Sequence, residues 1–153
     1  MKKILKKVGI ALLIILLVMQ FIRPDKNESG YESVAYFETA TKPTEAIQTI
    51  LKDKCYDCHS NQTIYPWYAE IAPVSYWLSD HVEEGKEHFN VSEWEQYSDK
   101  KRDHKLEELI EEVEEGEMPL SSYTWLHGNL EEGEKEILID WVKKLRSQYA
   151  SVK

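Results

Sequence analysis

Cys55-Tyr56-Asp57-Cys58-His59 is the stretch of this chain whose residue types and spacing dictate a chemistry. Two thiols three residues apart suit thioether bonds to the two vinyl groups of one porphyrin, and a histidine directly after the second thiol falls under the iron as an axial ligand. The motif is therefore read as the attachment site of one covalent haem c, with Cys55, Cys58 and His59 as its residues. His59 is expected to bind through its outer ring nitrogen, while the other N–H finds an acceptor such as a backbone carbonyl. Other uses of a CxxC fit less well. A thioredoxin-type pair needs a preceding strand in a βαβ setting, and a zinc site needs two more ligands at finger-like spacing. Neither pattern is present, and a plain disulfide between the only two cysteines gives His59 no role.

The N-terminus bears on where such chemistry takes place. Lys2, Lys3, Lys6 and Lys7 precede an apolar run from Val8 to Ile22. Fifteen helical residues span about 22 Å, short of a hydrocarbon core of roughly 30 Å, unless Ile4 and Leu5 extend the run while Lys6 and Lys7 snorkel. A signal peptide shares this pattern, but no small-x-small cleavage site follows. Residues 1–24 are accordingly expected to form an N-terminal transmembrane helix, with a signal peptide as the alternative. The lysines would keep that end cytoplasmic and send the remainder across, giving a single-pass protein of the cytoplasmic membrane whose C-terminal domain faces the periplasm or exterior. Residues 25–42 read as a linker and 43–150 as the haem-binding domain.

The whole chain carries a formal charge of −9, but from residue 27 onward 27 acidic side chains stand against 13 basic ones, a net charge near −14. Such a surface rejects nucleic acid and suits a basic redox partner, although it equally serves solubility.

The elements that must position the motif are helical. Thr44 to Lys54 places Ala46, Ile47, Ile50 and Leu51 on one stripe and runs into the CxxCH. Pro73 suits the first turn of a second helix, on which Val74, Trp77, Leu78, His81 and Val82 share a face. After a break anchored by Trp94, a third helix over 99–115 buries Leu106, Leu109, Ile110 and Val113, and Gly116 ends it. A loop over 117–129 holds Met118-Pro119, Tyr123, Trp125 and His127, and a last helix over 131–149 turns Ile137, Leu138, Trp141, Val142 and Leu145 inward. No strand pattern or internal repeat is evident. The domain is expected to be all-α, with Trp67 and Tyr123 as neighbours of the haem.

A helix ending in CxxCH, a Met-Pro loop and a terminal amphipathic helix resemble a class I cytochrome c. More narrowly, residues 36–149 resemble the bacterial haem-binding domain family through CYDCHSNQTIYPWY, IAPVSYWLSDHVEEG, GEMP and LEEGEKEILIDWV. The resemblance implies a cytochrome c-like helical domain around a covalent haem, at the cell envelope, with an added helical pair between Trp67 and Met118. It also implies Met118 as the sixth iron ligand, since cytochromes c present a thioether from such a loop. His81, a polar ring on an otherwise apolar stripe, is the rival.

The function expected is that of a membrane-tethered c-type cytochrome passing single electrons, not an enzyme. The alternatives are a haem-based sensor or gas-binding module, or a small peroxidase with an open or displaceable sixth ligand. A peroxidase needs a positioned acid/base group, and His81 is the one at hand.

Overall fold

The computed structural model describes residues 1–149. Residue 150, the expected end of the domain, lies outside that range. Among the described residues eight α-helices form: α1 (Lys2–Met19), α2 (Ala35–Thr41), α3 (Glu45–Lys54), α4 (Tyr56–His59), α5 (Val74–His88), α6 (Asp99–Glu115), α7 (Ser121–His127) and α8 (Glu132–Tyr149). Three 3-10 turns join them, at Tyr31–Val34, Trp67–Glu70 and Val91–Gln96. Among the described residues no strand forms, and the only extended pairing is an isolated bridge between Glu28 and Gln62. The all-α expectation agrees with this architecture.

Local chemistry explains the boundaries. The Thr44 hydroxyl accepts from the Ile47 N–H at the start of α3, and the Ser98 hydroxyl accepts from the Lys101 N–H at the start of α6. Both satisfy amides that a first turn leaves unpaired. Gly116 ends α6 at φ 80°, a left-handed conformation that costs glycine little.

The core forms where apolar stripes meet. Leu106, Ile110 and Val113 of α6 face Leu138, Val142 and Leu145 of α8, with Ile47, Ile50 and Leu51 of α3 completing the cluster. Trp94 sits fully enclosed at its centre, edge-on to Phe37 with ring centroids 5.2 Å apart. Arg146 of α8 ties the two long helices together, donating to Asp103 at 2.8 Å and to Glu107 at 2.6 Å. Ile137, assigned inward from periodicity, is exposed, and Ile139 is buried in its stead.

The transmembrane helix is corrected by the structure: no helix among the described residues is long and apolar enough to cross a membrane. α1 includes all four lysines and stops at Met19, so its uninterrupted apolar stretch is Val8–Met19. Twelve helical residues reach about 18 Å, well under the roughly 30 Å of a hydrocarbon core. The expected single-pass placement in the cytoplasmic membrane loses its basis with it.

The chain after α1 is bound down rather than free. The Gln20 side chain exchanges two hydrogen bonds with the backbone of Ala72, at 3.0 and 3.1 Å, and Arg23 pairs with Glu70. Asn27 then reaches the segment that follows the CxxCH: its side-chain amide donates to the Ser60 carbonyl at 2.8 Å and to the Thr63 hydroxyl at 2.9 Å. Residues 25–42, read as a linker from composition, thus strap the back of the motif, and Val34 and Phe37 enter the core.

Candidate functional site

α3 delivers the motif. The helix ends at Lys54, and Cys55 departs from helical geometry at φ −125°, ψ −47° before the single turn of α4 restores it. The amides of Cys58 and His59 donate to the Cys55 carbonyl at 3.2 and 2.9 Å. That turn sets the two thiols three residues apart, hence on one side of the chain. Both cysteines are free and half-buried. Burial pushes each thiol up to about 12, with the neighbouring Cys58 and Asp57 adding to the respective effect. A redox CxxC works with a thiol lowered to about 3.5–7.5, so this pair is not tuned for thiolate chemistry. Among the described residues no group of three His, Cys, Asp or Glu side chains comes together to hold a metal ion, which leaves the zinc reading without ligands.

His59 is oriented by α5. Its Nδ1 lies 2.9 Å from the carbonyl oxygens of both Gly85 and Phe89. Carbonyls only accept, so Nδ1 carries the hydrogen and Nε2 keeps its lone pair for a ligand. Burial lowers the His59 pKa, against the two carbonyl hydrogen bonds that raise it, and favours the neutral, ligating form.

Gly85 makes this contact possible. A Cβ there would stand 2.7 Å from the Cys58 carbonyl oxygen and 3.0 Å from the Cys58 Cβ. The last turns of α5 therefore press backbone against backbone on the CxxCH turn, a closeness only glycine allows.

In front of the motif lies a solvent-open cleft of about 610 Å³ counted to its mouth, with a narrow interior of about 50 Å³. Its first wall is the apolar stripe of α5: Val74, Trp77, Leu78, His81 and Val82 all face it. Asp57 and Cys58 reach it from α4, and Leu120, Tyr123 and His127 close the far side from α7 and its entry. α7 is short and exposed, held to the motif by few side-chain bonds. The Tyr123 hydroxyl stands 3.0 Å from Asp57 Oδ2 and 2.9 Å from the Asp53 carbonyl, and Lys54 Nζ donates to the His127 carbonyl at 2.7 Å. Burial also holds the Asp57 carboxyl above its ordinary range, against hydrogen bonds from the Ile64 amide and the Tyr123 hydroxyl.

The residues singled out in the sequence divide around this cleft. Cys58, Tyr123 and His81 line it, whereas His59 and Cys55 are not among its lining residues, Cys55 packing against the main core. Met118 is half-buried against the main core, outside the residues that line the cleft. Trp67 is 77% exposed and also outside it, packed edge-on to Tyr68. Gly85, Asp57 and Leu120 went unmarked in the sequence; Gly85 alone had a signal, a glycine interrupting the last turns of an otherwise ordinary helix.

An all-helical fold in which a CxxCH turn opens on an apolar cleft defines a small cofactor-binding domain. The model of the haem-binding domain family matches residues 14–144, and the chain belongs to that family. Among curated proteins and among solved structures, none matches the chain. Haem is the cofactor that membership supports, and the residue types present suit it: a histidine whose Nδ1 is held by carbonyls and whose Nε2 is free, two free thiols, and an apolar stripe along α5.

Proposed function

We propose that this domain carries one haem c, attached through Cys55 and Cys58 with His59 as axial ligand, and that it transfers single electrons rather than turning over a substrate. The observation that carries the reading is the lock on His59: two carbonyls at 2.9 Å fix its Nδ1–H beside the CxxC. An ordinary surface histidine has no need of such a double anchor, whereas a ligand histidine gains both orientation and basicity from it.

Attachment would need no external oxidant: each thiol's S–H would add across one vinyl double bond, sulfur to one carbon and hydrogen to the other. Covalent attachment would also retain the cofactor in a cleft whose far wall is a seven-residue helix. When bound, haem supplies the one-electron couple. The chain's part is to orient the ligand, exclude water along α5 and leave one edge open for exchange. A net charge near −14 beyond residue 26 favours a basic electron-transfer partner by steering.

The test is attachment in the single variants. Cys55→Ala and Cys58→Ala are each expected to lose haem staining on denaturing gels, or to retain a single-thioether form with a shifted pyridine haemochrome. Wild-type haem that extracts completely into acidified acetone would refute the covalent assignment. A haem that is high-spin in both redox states, turning over peroxide rapidly, would refute the carrier role.

A further inference from the structure

We propose that His81, and not Met118, supplies the sixth ligand to iron, making this a bis-histidine haem. The inference rests on the haem-attachment reading above and adds the identity of the distal group.

Three observations point to His81. Its ring faces the cleft from the α5 stripe that also presents Trp77, Leu78 and Val82. Its Nδ1 lies 2.8 Å from the carbonyl of Trp77, one turn back along the helix, so Nδ1 donates and Nε2 keeps its lone pair. The Trp77 ring packs against it with centroids 4.5 Å apart, restricting its rotation. Like His59, it has its Nδ1 on a backbone carbonyl, which leaves Nε2 available to a ligand. One helix would then set both ligands: α5 supplies His81 and, at Gly85 and Phe89, the carbonyls that hold His59.

The competitors are engaged elsewhere. His127 also lines the cleft, but its Nε2 is bonded to the Tyr68 hydroxyl at 3.2 Å and its ring stacks on Tyr123 at 4.1 Å. His104 sits on α6 beside Glu108, at 3.2 Å, away from the cleft. Met118 packs against the main core, and its amide donates to the Glu112 carbonyl at 3.1 Å, continuing the close of α6. A thioether so placed would have to leave the core to reach the cleft, whereas His81 is already there.

Electronic and near-infrared spectra of the haem-loaded full chain test the assignment. Wild type is expected to be low-spin in both oxidation states without a sulfur-to-iron band. His81→Ala is expected to turn high-spin and bind carbon monoxide, with added imidazole restoring the low-spin spectrum. His81→Met, close to native volume, should gain a sulfur-to-iron band, and Met118→Ala should leave the low-spin spectrum unchanged. A sulfur-to-iron band in wild type that Met118→Ala abolishes would overturn the proposal, as would an unchanged low-spin spectrum in His81→Ala. Haem staining on denaturing gels separates the two readings. Spectra that depend on His81 but come from extractable haem would sustain this ligand and refute attachment, while stained protein indifferent to His81 would do the reverse.

Discussion

Replacing Gly85 by alanine tests whether α5 positions the iron ligand or merely packs beside it. The new Cβ would lie 2.7 Å from the Cys58 carbonyl oxygen, where ordinary contact begins near 3.4 Å, so the helix must retreat by about 0.7 Å. The atoms opposing it are backbone, which cannot swing aside. The same retreat carries the Gly85 and Phe89 carbonyls away from His59 Nδ1, stretching contacts of 2.9 Å toward 3.6 Å, beyond useful hydrogen bonding. Overpacking costs about 1–3 kcal/mol, and alanine's better helix propensity returns about 1 kcal/mol, so the net loss of stability is about 0–2 kcal/mol. The effect at iron should be larger than that figure suggests, because losing an outer hydrogen bond to a ligating histidine costs about 10–100-fold in metal affinity. Urea unfolding paired with spin-state and ligand-binding spectra of Gly85→Ala measures both quantities. Gly133→Ala, where an added Cβ meets nothing within 4 Å, is the control and should be neutral or slightly stabilising. Wild-type spectra and stability in Gly85→Ala would show that the close approach has no bearing on His59.

Two further outcomes concern the motif and its strap. In haem-free protein the thiols at about 12 should alkylate at pH 8 at least about 100-fold more slowly than in the unfolded chain, since the thiolate is the reacting form. Because their folded-state pKa lies above the unfolded value of about 8.5, their contribution to stability is complete below that pH and declines as pH rises toward 12. Urea midpoints between pH 7 and 10 follow it, and a flat profile would contradict the burial assigned to the thiols. Asn27→Ala removes donors to Ser60 and Thr63 and the acceptor of Lys86 at 2.8 Å, with an expected loss of about 1–3 kcal/mol by urea unfolding. An unchanged midpoint would mean that residues 25–42 do not brace the motif.

Much of the helical frame was legible because its signals are local. Thr44, Ser98 and Gly116 mark helix ends through hydrogen bonds and a left-handed turn that lie within four residues of each other. Trp94 announced itself as a core anchor by size among polar neighbours. What escaped was non-local or ambiguous in kind. The α5 stripe was visible as a stripe, but periodicity cannot distinguish a face packed on protein from one lining a ligand space. α7 lies between Pro119 and Gly128 and is too short for a period to emerge, so it read as loop. The strap at Asn27 depends on partners more than 30 residues away, beyond any local pattern. The N-terminal run carried a membrane-like composition, yet the lysines fall inside α1 and shorten its apolar part. Of the candidate site, the CxxCH was legible by spacing alone, whereas Gly85's role depends on the approach of two backbones.

The central claim is a covalent haem on Cys55 and Cys58. Intact mass spectrometry of the wild-type chain, expressed with a haem-attachment system and then denatured, addresses it most directly. The account requires one species heavier than the polypeptide by a single haem, localised by fragmentation to the peptide containing both cysteines. A denatured chain with the mass of the polypeptide alone, from a preparation whose native spectrum shows haem, would contradict it.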